Sequence, residues 1–341
     1  MRVIFSGYHN PHFPTITEYI ERAFRELGHE VFSYDERALL LPGRLRAWLP
    51  RLQAWEVRRI NAGLVRLAAR TRCELAVVSG GHGIFADSVG ALRRLGTTTA
   101  LWTTDPPHNF GPVRAVAPAF DLVFCQGTEA VELLAQSGRT DARWLPMGCD
   151  PALHTAVPVT PRMRRQYGHD VVFVGSHYAN RWELFRHLLD VDLHLWGPGW
   201  HRAHGDPRAR EISTSMQVKP DTWRVIFSAA KIDIVIHYQD GVTPCYQASP
   251  KVFEALACGC FVLVDRQRDV LRLFQDGRHL VAFDNAEDLR AKVRYYLEHD
   301  EERRAIAEAG RAEAVAHHTY VHRVRELVSV AQTHRNDRGT R

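Results

Sequence analysis

The chain has 341 residues, 45% of them apolar and 24% charged, with a formal net charge of +5. That composition is one of a folded protein of about two domains and excludes disorder on a large scale. No apolar run approaches the roughly 18 residues of a membrane span, and the N-terminus enters a strand pattern at once. The sequence therefore reads as cytoplasmic, without stable membrane insertion. Its arginines are spread along helices with acidic neighbours instead of clustering with aromatics, so no nucleic-acid partner is expected.

From Arg2 the chain alternates short β-branched or apolar runs with helical periods: Val3 to Phe5, Val31 to Tyr34, Leu75 to Val78, Thr99 to Trp102 and Leu122 to Phe124. That alternation is the signature of a parallel sheet with crossover helices. Between the first two strands Ile16, Ile20, Ala23, Phe24 and Leu27 share a helical face, with Thr15 and Glu18 as a capping box and Gly28 as the stop. A longer helix over 50–70 sets Trp55, Ile60, Leu64 and Leu67 against many arginines. A solvated Arg-rich face is the favoured reading of it, and a membrane-surface role the alternative.

A second series starts at Asp170 to Gly175 and continues through Leu193 to Trp196, Ile232 to His237, Phe261 to Val264 and Leu280 to Phe283. A Pro- and Thr-rich stretch from Pro151 to Pro161 separates the series and is expected to be the interdomain linker. The fold class is thus α/β, two doubly wound Rossmann-like domains facing a central cleft. The boundaries are 1–155 for the N-terminal domain, 156–320 for the C-terminal domain, 320–333 for a final helix able to cross back, and 334–341 for a disordered tail. In such sheets ligands bind outside the carboxyl ends of the strands. The unusual residues fall there: His9 after strand one, His82 after strand three, and Asp105, His108 and Asn109 in a Pro-constrained loop after strand four.

The segment from Ser249 to Gly259 carries the most chemistry. Ser249 suits the N-cap, Pro250 the first helical position and Gly259 a left-handed stop. Lys251, one of only four lysines, then shares a face with Glu254 near the positive end of the helix dipole. Lys251 is placed to meet a diphosphate and Glu254 the hydroxyls beside it. A dinucleotide site is rejected, because Ser79 to Gly83 lacks the GxGxxG spacing at the first strand. Six scattered cysteines, Cys73, Cys125, Cys149, Cys245, Cys258 and Cys260, and histidines on separate loops give neither a disulfide framework nor a metal site. No cofactor is expected.

Five elements in order, "WTTDPP" at 102–107, "DVVFVG" followed by Arg181, "LWGPGW" at 195–200, "SPKVFEALACGC" at 249–260 and "HTYVHR" at 318–323, make the chain resemble the GT-B glycosyltransferases. Within them it resembles the CgeB-like, spore-maturation branch related to group 1 transferases. The resemblance implies that Glu254 binds nucleotide ribose hydroxyls and that Lys251 supports the diphosphate. Relatives often carry a basic pair one and six residues after Gly175; here the positions are Ser176 and Arg181. Where many relatives have a sugar-binding Glu, this chain has Tyr246. The implied donor set is Gly175, Ser176, Arg181, Gly197, Tyr246, Ser249, Pro250, Lys251, Phe253 and Glu254. His9, His82 and Asn109 face the acceptor, and Asp105 or His108 takes its hydroxyl proton. The implied activity is metal-independent sugar transfer from a nucleotide-diphosphate sugar to an unidentified acceptor, with a retaining outcome one of the options. The rival readings are an epimerase or hydrolase on the same fold and a catalytically silent binding module.

Overall fold

A computed structural model describes residues 1–42, 44, 48–104, 109–203 and 205–339. The chain forms two compact units, one of Met1–Pro146 with Tyr320–Arg341 and one of Met147–Thr319. Each is an α/β unit with a six-stranded sheet whose paired strands are all parallel.

The first unit contains β1 (Arg2–Gly7), β2 (Glu30–Asp35), β3 (Leu75–Ser79), β4 (Thr98–Thr103), β5 (Leu122–Cys125) and β6 (Arg143–Trp144), in the order β2-β1-β3-β4-β5-β6. The order reverses between β1 and β3, which opens a crevice at their carboxyl ends. The helix Ile16–Glu26 has the capping box expected of Thr15 and Glu18, and Gly28 follows its end at φ 79°. Phe24 of that helix packs against Phe5 of β1, and Tyr19 against Tyr320.

The last helix, Tyr320–Gly339, takes in residues 334–339 of the stretch expected to be a disordered tail. Long-range charge explains the difference: Arg335 pairs with Glu74 at 3.1 Å and Arg338 with the buried carboxylate of Asp121 at 3.3 Å. Such partners, far away in sequence, stabilise a polar helical end that propensity alone would leave frayed.

The second unit contains β7 (Val171–Val174), β8 (Leu193–Trp196), β9 (Ser213–Thr214), β10 (Ile232–Val235), β11 (Phe261–Asp265) and β12 (Val281–Phe283), in the order β12-β11-β10-β7-β8-β9. Its reversal lies between β10 and β7, whose ladder joins only Ile232 to Val171 and Asp233 to Val172. Alternate residues Val171, Phe173, Ile232, Ile234, Phe261 and Leu263 bury one face against Phe185, Trp200, Leu289 and Val293. The 151–161 stretch, expected as linker, is fastened to this unit: the Val157 amide donates to Ser228 Oγ at 3.0 Å, and Arg224 Nε to the Thr155 carbonyl at 3.3 Å. Among the described residues no helix is long and apolar enough to cross a membrane.

Candidate functional site

The helix Pro250–Ala257 begins as its sequence dictates. Ser249 Oγ accepts from the Lys251 amide at 3.4 Å, Pro250 takes the first turn, and Gly259 closes the end at φ 80° with its amide bonded to the Leu256 carbonyl. Lys251 Nζ donates to Glu254 Oε2 at 2.6 Å. The pair expected on one helix face is asymmetric in its exposure. The Glu254 side chain is only 6% exposed, whereas Lys251 is 34% exposed. Burial opposes ionisation of Glu254, but the Lys251 ammonium holds its carboxyl below the ordinary range. The same ammonium lies 5.2 Å from the Trp223 ring centroid, and His154 packs on that ring. Burial keeps His154 neutral by lowering its pKa.

Beneath this helix start lies a pair that the sequence reading missed. His237 follows β10 and Asp265 ends β11; the imidazole Nδ1 meets Asp265 Oδ1 at 2.7 Å, while Nε2 accepts the Ser249 amide at 2.8 Å. Those two bonds set the tautomer, with the proton on Nδ1. Gln267 Nε2 donates to the other Asp265 oxygen at 2.8 Å. Burial again opposes charge on Asp265, and His237 outweighs it, so the carboxyl sits below its ordinary value. A His and an Asp ending adjacent parallel strands were the available signal, since polar residues at buried strand ends need partners.

Arg181, in the helix Ala179–Phe185, spans the reversal point. Its Nε and Nη2 donate to the Ile236 carbonyl at 3.1 and 2.6 Å, and Nη1 to the Ser176 carbonyl at 2.7 Å. The guanidinium also lies against the rings of Phe173 and Tyr178. Burial lowers its pKa to about 10, still a cation at neutral pH. Three of its five N–H donors are thus committed to main-chain oxygens. Asn180 Nδ2 adds a bond to the His237 carbonyl at 3.1 Å. Arg181, Asn180, His237 and Ser249 therefore form one connected set at the ends of β7 and β10.

Gly175 and Gly197 hold the neighbouring loops together. Gly197 has φ 147°, and a Cβ there would stand 2.1 Å from the Gly175 carbonyl oxygen, so only glycine fits. The Trp200 indole donates to that same oxygen at 3.0 Å. Ser176 contributes its carbonyl to Arg181. Tyr246 lies under the Arg268 guanidinium at 3.9 Å, and its carbonyl accepts the Asp269 amide. Phe253 corrects the donor set: it has no exposed surface and packs on Phe274 and His318, because its position on the helix points inward. It supports the helix from behind and is not available to a ligand.

In the first unit a cavity of about 190 Å³ opens at the carboxyl ends of β1 to β4, lined by Tyr8, Thr17, Arg37, Gly80, His82 and Thr104. Arg37 lies 5.1 Å from the Tyr8 ring centroid. His82 is on this cavity; His9 instead bonds to Glu18 at 2.9 Å and approaches Glu21 at 3.5 Å. Asn109 is exposed. Asp105 and His108 lie outside the described residues. Among the described residues no three His, Cys, Asp or Glu side chains are grouped to hold a metal ion.

Comparison with known proteins agrees with this architecture. Residues 164–329 match the glycosyl transferase-like family model. No curated protein matched the sequence. Among solved structures, Anabaena HepE in complex with UDP-glucose aligns with a TM-score of 0.69 at 13% identity, over 98% of this chain and 100% of that one. Sucrose-phosphate synthase from Thermosynechococcus elongatus gives 0.67 at 13% identity, over 97% and 98%. The N-terminal domain of Candida albicans trehalose-6-phosphate phosphatase gives 0.69 at 11% identity, over 98% and 97%. At such identities the likeness establishes the fold. The chain therefore has the two-domain α/β fold of the GT-B glycosyltransferase structures, with a glycosyl transferase-like segment at 164–329.

Proposed function

We infer that the protein transfers a sugar from a nucleotide-diphosphate donor, held by the second unit, to an acceptor held by the first. The observation that carries this reading is the buried Glu254 at the start of a helix whose N-cap is fixed by the His237–Asp265 pair. Lys251 occupies Glu254 Oε2, leaving Oε1 to accept from ribose hydroxyls. In this reading the ammonium itself, about a third exposed, and the positive end of the helix dipole face the diphosphate, whose negative charge grows as the glycosidic bond breaks. Arg181 adds a fixed positive charge, so leaving-group stabilisation does not require a metal ion. The matched family segment spans these residues. The motif set at 102–107, 195–200 and 249–260 favours the CgeB-like branch. UDP-glucose, bound by HepE, is the first donor to try.

On the acceptor side, the cavity lined by Tyr8 and His82 is the proposed subsite, and Asp105 or His108 the base. A general base supplies a factor of about 10² to 10⁴ in rate. A second reading, a silent donor-binding module, is favoured by Ser176 in place of a basic residue and by the prior engagement of Arg181. Calorimetric titration with UDP and other nucleoside diphosphates separates the possibilities when combined with product analysis. Glu254→Ala and Lys251→Ala are each expected to weaken binding by about 1.5–3 kcal/mol. Unchanged affinity in both folded variants would falsify the donor assignment. Free sugar without acceptor points to a hydrolase, an isomerised donor to an epimerase, and intact donor with a broad acceptor panel to the silent module. Full loss of activity with EDTA overturns the metal-independent reading.

A further inference from the structure

The even spread of arginines among acidic neighbours expected from the sequence fails in one stretch of the chain. Residues 37–72 hold nine arginines, no lysine and one acidic residue, Glu56, a local charge of +8 in a chain of +5, so everything else sums to −3. Glu56 does not offset this at the surface: it is fully buried, accepting from the amides of Leu40 and Leu41 at 2.6 and 3.0 Å. The helix Pro50–Thr71 buries Glu56, Ile60, Leu64 and Ala68 along one side. On the opposite side Trp55, 51% exposed, stands between Arg51 and Arg58 at the i−4 and i+3 positions, both exposed.

Around the start of that helix four large apolar side chains are exposed together: Leu40 at 67%, Trp48 at 86%, Leu49 at 52% and Trp55. Trp48 and Trp55 are the only exposed tryptophans of the eight in the chain. Ordinary solvated faces carry charge without such neighbours. Tryptophans beside arginines are the side chains that settle at the headgroup level of a bilayer, rings in the acyl boundary and guanidinium groups on phosphates. A nucleic acid would use the arginines and could stack on the rings, but it offers Leu40 and Leu49 no apolar phase. We propose that this face docks the protein on an anionic lipid surface, as a peripheral contact and not a span. The helix is amphipathic in the sense that matters here, with a core side and an outward Trp/Arg side, and two signals, charge and inserted aromatic rings, combine in one place.

The test is co-sedimentation of the full chain with equimolar phosphatidylglycerol–phosphatidylcholine vesicles against pure phosphatidylcholine vesicles. Binding to the anionic vesicles is expected at about 0.1 M salt, falling steeply toward about 0.5 M as the charges are screened. Trp48→Ser/Trp55→Ser and Arg51→Gln/Arg58→Gln should each lower the partition coefficient at least about tenfold, each arginine accounting for roughly fivefold. All four side chains are exposed, so both variants should keep the wild-type melting temperature; in the unmutated chain, brominated lipid should quench tryptophan fluorescence only in the anionic vesicles. Equal binding to neutral vesicles, unchanged partition in both variants, or single-stranded RNA binding that excludes vesicles overturns the proposal. None of these readouts depends on sugar transfer.

Discussion

At the carboxyl ends of β7, β10 and β11, side chains are bonded to one another: His237 joins Asp265 to the Ser249 amide, and Arg181 joins the Ser176 and Ile236 carbonyls. At the ends of β1 and β3 the polar residues instead surround an open cavity, with Arg37 resting on Tyr8 and His9 turned to Glu18 on the neighbouring helix. The contrast shows where each unit commits its hydrogen bonds. A site for a constant ligand gains from donors fixed in advance, since they need no reorganisation when charge develops. A site for a variable ligand can leave its groups at a cavity wall, where substitutions change fit without unfolding the sheet.

Removing Asp265 gives the largest expected effect. Asp265→Ala strands the His237 ring N–H and amide and the Gln267 amide in a buried place and should cost about 3–5 kcal/mol, read from urea unfolding. His9→Ala, which breaks a partly exposed pair in the first unit, should cost under about 1 kcal/mol. Comparable losses would mean that the two strand-end regions are equally structural. Tyr8→Ala and His82→Ala sharpen the contrast kinetically: each should raise the acceptor KM by roughly five- to thirtyfold, the equivalent of about 1–2 kcal/mol, with nucleotide affinity unchanged. A fall in nucleotide affinity instead would place the donor in the first unit.

Acid should weaken the second unit through histidines that are neutral when folded. Burial, with the His169 charge second, lowers the His194 pKa to about 4, and burial also lowers that of His154. Because the folded value lies below the unfolded one near 6.5, the neutral form belongs to the folded state. Its stabilisation is complete above about pH 6.5 and is lost as pH falls from there toward about 4. Glu254 and Asp265, with lowered carboxyl values, act in the same direction at lower pH: their contribution holds above their unfolded values and disappears as pH falls through the folded ones. His194→Gln should therefore flatten the melting temperature between pH 6.5 and 4 and leave the steeper loss below it, as differential scanning calorimetry can show. A small effect is also expected at the C-terminus, where Arg335→Ala/Arg338→Ala removes two partly exposed ion pairs and should lower stability by under about 2 kcal/mol. Unfolding of the last helix by this pair alone would show that the charges, not the packing of Tyr320 and Val324, hold it.

The sequence by itself determined what local physics controls. Alternating apolar runs marked the longer strands, Thr15 with Glu18 and Ser249 with Pro250 marked helix starts, and Gly28 and Gly259 marked their ends, each within a few residues of its cause. It also placed Lys251 and Glu254 on one helix side. The two-residue strands β6 and β9 were too short to leave a pattern, and they exist because a longer neighbour offers its edge. Phe253 could not be told from a ligand contact without knowing which side of its helix faces inward. Only the tertiary structure decided the polar pairings: His237 with Asp265 spans 28 positions, Arg181 with Ile236 spans 55 and Arg335 with Glu74 spans 261. A buried polar group takes whichever partner the fold brings within bonding distance, and that partner is set by the packing of whole elements, which no local window of sequence contains.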